Sequence, residues 1–91
     1  MNIYSATELL DIIRPFIPDE GNEGKVLDVI LDGVTPEMMT KGVCIILGIK
    51  EDGLPELEVE DLIREFCKGI HESRVLELNQ FLLEVGYGTK S

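Results

Sequence analysis

The sequence predicts an all-α fold, a small bundle of about five short helices, and two observations support it. Apolar residues recur every three to four positions in several segments, which is the spacing of one helix face. Residues that start and stop helices frame those segments, most clearly Thr35-Pro36-Glu37, where threonine can cap and proline suits the first turn. We interpret residues 1–91 as a single helical domain, because 91 residues are too few for two stable cores.

The first two helices are predicted from caps and apolar spacing. Ser5 and Glu8 have the arrangement of a capping box, and apolar residues follow at helical spacing until Pro15 removes an amide donor. Asn22 is a good N-cap for a second helix, which is apolar on most of its circumference. Gly33 suits the C-terminal cap of that helix.

The third helix has a competing interpretation. Residues 43–47 are apolar on nearly every side of a helix, and Gly48 is a natural stop. The alternative is an α+β fold in which residues 43–59 form a hairpin with a turn at 51–53. Pro55 and the shortness of the second apolar run favour the helix.

Two further helices complete the prediction. From Val59 the apolar residues keep clean helical spacing, and Gly69 and His71 are expected to mark the helix end. Ser73 can cap a last helix, and residues 87–91 are expected to form a frayed tail. The positions expected to be largely buried are Leu27, Ile30, Ile46, Phe66 and Leu78.

The charge balance restricts the partners and the compartment. Eighteen acids against eight bases give a net charge of −10, which disfavours nucleic acids and anionic membranes because both need neutralising cations. The longest nearly apolar run, 43–49, is too short to span a bilayer, and the N-terminal residues lack the features of a secretory signal. We therefore expect a cytoplasmic protein.

Few residues suggest chemistry. Cys44 and Cys67 lie beside apolar residues, as buried reduced thiols do. With His71, the only histidine, they lack the spacing of a zinc site, so we expect no metal and no cofactor. Cys67 and His71 have the spacing of a thiolate–imidazole pair, but no third group is available to orient them. We predict that the protein is not an enzyme.

Two surfaces are candidates for binding another protein or a second copy of the chain. Helices 26–34 and 38–47 are apolar almost all round, so either both are central in the core or one offers a face to a partner. The candidate residues on that face are Val26, Ile30, Ile45 and Ile46. Segment 51–65 holds seven acids, which either hydrate the surface or meet a basic partner. The candidate contacts there are Glu56, Glu58 and Glu60.

The order of parts over about residues 25–85 resembles the tail assembly chaperones of long-tailed bacteriophages. The parts are an apolar helix ending in Asp32-Gly33-Val34, a helix from Thr35-Pro36-Glu37 to Ile46-Leu47-Gly48, a linker with Pro55, and helices over 59–70 and 75–82. The resemblance implies a protein that coats the tape-measure protein, keeps it soluble and helps recruit tail-tube subunits. It implies no catalytic or ligand residues.

Two other functions fit the same residues. One is an acidic inhibitor that imitates a nucleic-acid backbone and blocks a basic enzyme site, for which segment 51–65 is the candidate surface. The other is a small helical adaptor domain of cellular origin. Each of the three interpretations makes the chain a protein-binding module.

Overall fold

The computed structural model describes residues 2–86 of the chain. This part contains five α-helices and no strand. The helices are α1 (Ile3–Ile13), α2 (Glu23–Gly33), α3 (Pro36–Leu47), α4 (Val59–Ser73) and α5 (Val75–Glu84). Short 3-10 turns occupy Arg14–Phe16 and Glu51–Gly53. The all-α prediction is confirmed, and the alternative hairpin over 43–59 is wrong because its first half belongs to α3. The predicted frayed tail, 87–91, lies outside the described residues.

Four of the helices form a closed ring of contacts. Helix α1 packs on α3, α3 on α4, α4 on α5, and α5 on α1. Helix α2 lies beside this ring and contacts the 3-10 turn that follows α1. All five helices nevertheless contribute to one core, and no polar side chain is buried among the described residues. The largest fully buried side chains are Leu9, Leu10, Ile13, Ile30, Val43, Phe66, Ile70 and Val75.

Helices α3 and α4 approach closely because glycines lie at their contact. A Cβ at Gly42 would lie 2.7 Å from Cε1 of Phe66, and a Cβ at Gly69 would lie 2.6 Å from Cγ1 of Ile46. Neither position therefore has room for a methyl group without movement of its neighbour. The prediction that Gly69 marks the end of its helix is wrong, since α4 continues for one more turn.

Three helix boundaries follow their predicted capping residues. Oδ1 of Asn22 accepts a hydrogen bond from the amide of Lys25 at 2.9 Å, which fixes the start of α2. Oγ1 of Thr35 accepts from the amide of Met38 at 3.1 Å at the start of α3. Gly48 ends α3 with φ of 72°, a left-handed conformation that glycine adopts at little cost.

The predicted start of α1 is wrong, whereas α2 does end at Gly33 as predicted but without a left-handed cap. Helix α1 begins two residues before Ser5, and its cap is Asn2, whose Oδ1 accepts from the Ser5 amide at 2.8 Å. Gly33 is the last helical residue of α2 and not a left-handed cap. The position has no room for a larger residue, because a Cβ there would lie 2.9 Å from Cγ of Phe16.

The junction between α4 and α5 also differs from the prediction. Ser73 is the last residue of α4, where its hydroxyl donates to the carbonyl of Ile70, and it does not cap α5. Arg74 alone separates the two helices, in a left-handed conformation with φ of 58°. Helix α5 therefore starts without a side-chain cap.

The expected core positions divide into two groups. Ile30 and Phe66 have no exposed surface, as predicted. Leu27, Ile46 and Leu78 are half-buried and pack against the margin of the core. A bundle of this size encloses completely only the side chains that point to its centre.

Candidate protein-binding groove

An open groove with a volume of about 530 Å³ lies between the chain that follows α1 and helix α5. One side is formed by Ile17, Pro18, Asp19, Glu20 and Gly21. The other side is formed by Leu76, Glu77, Asn79, Gln80 and Leu83 of α5. Arg14, Glu23 and Val26 complete the lining. The volume falls in the range of roughly 300–1,000 Å³ that is usual for small-molecule pockets, but this groove is open along its length.

The local sequence explains why the chain stays non-helical along one side of this groove. Pro15 removes an amide donor and disfavours helix at the preceding residue, so α1 gives way to a 3-10 turn. Ile17 is extended, and Gly21 has φ of 133°, a conformation that side chains other than glycine rarely adopt. Helix α2 begins only after Asn22, so residues 17–22 stay non-helical, and 17–21 form one side of the groove.

Helix α5 supplies the other wall from a single face. Leu76, Asn79 and Leu83 recur at the spacing of three to four residues that places side chains on one side of a helix. Leu76 is half-buried, and Leu83 is 49% exposed. This face has apolar side chains at both ends and amides between them.

Helix α5 carries more apolar surface than the core covers. Val75 is its only fully buried residue. Phe81 and Val85, which is just past the helix end, are 57% and 61% exposed. Phe81 and Val85 do not line the groove, so the exposed apolar side chains of α5 are not confined to its groove face.

Acidic side chains outnumber basic ones around the groove. Asp19 and Glu20 are exposed and form no ion pair within residues 2–86. Oε2 of Glu23 lies 2.7 Å from Nδ1 of His71, a contact that joins the start of α2 to the last turn of α4. Asp19 and Glu20 therefore contribute two exposed negative charges to this wall that no ion pair within residues 2–86 neutralises.

The acidic residue on the α5 side has a different environment. Glu77 forms an ion pair with Arg74, the residue that joins α4 to α5. The hydrogen bond from Arg74 lowers the pKa of Glu77, and the same contact raises the pKa of Arg74. The negative charge of the groove is thus concentrated on the wall at residues 19–23.

The structure corrects the predicted apolar binding face. Val26 is buried and lines the bottom of the groove, whereas Ile30 has no exposed surface. Helix α2 presents Val26 and Ile30 to the core, since these residues share one helix face, and Val34 just past the helix end is buried as well. Ile30 is therefore a core residue of the folded protein and not a surface contact.

The predicted α3 residues lie away from the groove. Ile46 is half-buried over Gly69 of α4. Ile45 is half-buried and lines a shallow depression of about 350 Å³, together with Ile49, Lys41 and other residues. The four apolar residues predicted from the sequence therefore do not form one surface.

The predicted acidic contacts are exposed but are not part of the groove. Glu56 and Glu58 lie in the loop before α4, and Glu60 lies in its first turn. Carboxylates in a first turn interact favourably with the helix dipole, which gives Glu60 and its neighbour Asp61 a structural role. That these residues contact a partner stays a prediction.

The two cysteines are free thiols, one buried and one half-buried. Burial raises the pKa of Cys44, and the negative charge of Glu51 raises it further. Burial likewise raises the pKa of Cys67, with a smaller effect from Asp28. A raised pKa leaves less thiolate at neutral pH, so both are poor nucleophiles. Within residues 2–86 no group of His, Cys, Asp and Glu is arranged to hold a metal ion.

The sequence interpretation missed the residues that form this groove, chiefly Ile17, Asp19, Glu20, Leu76 and Leu83. A signal was present in α5, where apolar residues occupy more of the helix circumference than one core-facing stripe requires. No comparable signal marked residues 17–20, because a polar turn has the same composition whether or not it borders a groove.

The fold and the groove define a class of protein, a small acidic all-α domain with an open groove that polar and apolar side chains line together. Searches against family models, curated proteins and solved structures find no match. None of the helices in the described part of the chain has both the length and the apolar character needed to cross a membrane.

Proposed function

We propose that this chain is a non-enzymatic protein-binding module that acts as a phage tail assembly chaperone. In this role it coats an apolar helical tape-measure protein, keeps it soluble and helps recruit tail-tube subunits. The observation that supports a protein-binding role is the open groove between residues 17–21 and α5, whose lining includes Leu83, an apolar side chain that is 49% exposed. The order of helices from residue 25 onward supports the particular assignment.

The physical requirements of such a chaperone agree with these features. A long helical rod with apolar stripes aggregates unless another surface covers those stripes. A small domain with exposed apolar side chains and a net charge of −10 can cover such a stripe and keep the complex soluble. An open groove also suits release, because tube subunits must later replace the chaperone.

Co-expression tests this proposal. The long, helix-rich protein encoded beside this chain should move into the soluble fraction when both are produced together. Leu83→Ser should reduce that effect, because it removes an apolar contact from the groove. Leu47→Ser is the matched control, since Leu47 has the same exposed fraction of 49% and does not line the groove.

The same experiment separates the alternatives. If the neighbouring protein stays insoluble while a basic nuclease is inhibited by this chain, the protein is a nucleic-acid mimic and the chaperone assignment is wrong. If Leu83→Ser and Leu47→Ser reduce solubilisation equally, α5 is not the contact surface.

A further inference from the structure

The distribution of charge around the groove defines the chemistry of its occupant. We infer that the groove binds a cationic amphipathic helix of the partner, with apolar side chains between the two walls and Lys or Arg beside Asp19 and Glu20. This inference rests on the proposed protein-binding function and specifies the partner surface that the groove recognises.

The length of the α5 wall matches about two turns of a partner helix. This wall runs from Leu76 to Leu83, about two helical turns or roughly 10 Å at 1.5 Å per residue. A helix that packs alongside α5 would present side chains at matching intervals of three to four residues. Ile17 and Val26 line the groove on the opposite side and provide apolar contacts for the same side chains.

The charges select a cation on one edge of that helix. Asp19 and Glu20 are exposed, adjacent and without an ion pair in the described part of the chain. Arg14, the base that lines the groove, pairs with Asp11 at 3.8 Å, and Arg74 pairs with Glu77. Lys25 near Gly21 is exposed and forms no ion pair with either carboxylate within residues 2–86. An anionic or purely apolar helix would leave the two carboxylates without compensation when it covers them.

The two walls also differ in what they offer. On the α5 side the charge of Glu77 is balanced by Arg74, and the other polar groups are the amides of Asn79 and Gln80. The bound helix should therefore carry its Lys or Arg residues on one edge and neutral polar residues on the other. This asymmetry fixes which way round the helix can lie.

A pair of synthetic helical peptides tests the inference with the full-length chain. One peptide combines a leucine face with lysines, and the other has the same leucine face with glutamates. We expect the lysine peptide to bind and the glutamate peptide to bind at least tenfold more weakly at physiological ionic strength, where charges within about 8 Å still interact. Amide NMR shifts should change at Ile17, Leu76 and Leu83.

Two double charge reversals distinguish a local contact from general attraction to an acidic protein. Asp19→Lys/Glu20→Lys alters the groove, whereas Glu51→Lys/Asp52→Lys alters an adjacent exposed pair that does not line it. Both change the net charge equally. We expect the first to weaken binding of the lysine peptide about tenfold or more and the second to weaken it less than about threefold. Circular dichroism checks that both variants remain folded.

Equal losses in the two variants would overturn the inference, and so would equal binding of the two peptides. Failure of this inference is separable from failure of the proposed function. If co-expression solubilises the neighbouring protein but the Asp19/Glu20 reversal has no effect on either assay, the chaperone function stands and the groove chemistry is wrong. If the lysine peptide binds in the groove but the co-expressed protein stays insoluble, the groove chemistry stands and the chaperone function is wrong.

Discussion

Helices α4 and α5 are both rich in apolar residues, yet they differ in how much of that apolar surface is buried. Helix α4 inserts Phe66 and Ile70 into the core and places Gly69 against Ile46 of α3. Helix α5 buries Val75 fully and leaves its remaining apolar side chains half-buried or exposed. The comparison indicates that α4 contributes to the stability of the core more than α5 does, whereas α5 has apolar surface that the core leaves exposed.

The largest effect should come from removing the central aromatic side chain. Phe66→Ala should lower the free energy of unfolding by about 3–5 kcal/mol, because it leaves a cavity where no surface is exposed now. Phe81→Ala, in the 57% exposed position of α5, should change stability by about 0.5 kcal/mol or less. Urea unfolding followed by circular dichroism measures both. Similar losses would show that α5 contributes to the core as much as α4 does.

An added methyl group tests the close approach of α3 and α4. Gly69→Ala gains up to about 1 kcal/mol of helix propensity but forces Ile46 to move, at about 1–3 kcal/mol. We expect a net loss of about 1–2 kcal/mol in thermal or urea unfolding. Gly24→Ala is the control, because its Cβ would meet only Oδ1 of Asn22 at an ordinary 3.4 Å.

The double variant Gly69→Ala/Ile46→Ala sharpens this test. If the methyl group at position 69 destabilises by collision with Ile46, it should cost less once Ile46 is shortened, and the two changes should be non-additive. Additive losses would mean that the collision is relieved elsewhere, and the α3–α4 contact would be looser than the structure indicates.

The starts of α3 and α5 offer a smaller contrast. Thr35→Ala removes the side-chain cap of α3 and should cost about 1 kcal/mol, while Thr35→Ser should keep most of the stability. Helix α5 has no such cap to lose. Hydrogen exchange should show the Met38 amide exchanging faster in the alanine variant only. An unchanged rate would place the stability of α3 in its tertiary contacts alone.

The smallest effect concerns the ion pair beside the groove. Because Arg74 lowers the pKa of Glu77, the pair favours the folded state above the ordinary glutamate pKa of about 4.3. That contribution is lost as the pH falls through the lowered value. Arg74→Gln should raise the Glu77 titration midpoint measured by NMR. Arg64→Gln, which removes the exposed pair with Asp61, should leave it unchanged.

Local signals in the sequence were sufficient where a structure depends on neighbouring residues along the chain. Asn22, Thr35 and Gly48 were recognisable as helix boundaries because capping involves residues only three or four positions apart. The periodicity from Val59 was likewise enough to predict α4. The all-α class followed from these signals, and the acidic character followed from the composition.

Local signals failed where the outcome depends on a distant partner. Gly33 and Gly69 are of the residue type that often ends a helix. In the structure each glycine instead makes room for a side chain from another element, Phe16 at Gly33 and Ile46 at Gly69. The prediction that Ser5 caps α1 was wrong for a simpler reason, since Asn2 caps the helix earlier in the chain. Competing local choices of this kind are decided by how the helix packs.

The sequence by itself determined which segments are helical and that the protein is strongly acidic, because both depend on residue type and short-range spacing. Only the tertiary structure decided that Ile30 is buried, that Leu83 is exposed, and that Asp19 and Glu20 lie opposite α5. Side chains more than fifty positions apart form the two walls of the groove. Their proximity is a property of helix packing, which residue spacing along the chain does not encode.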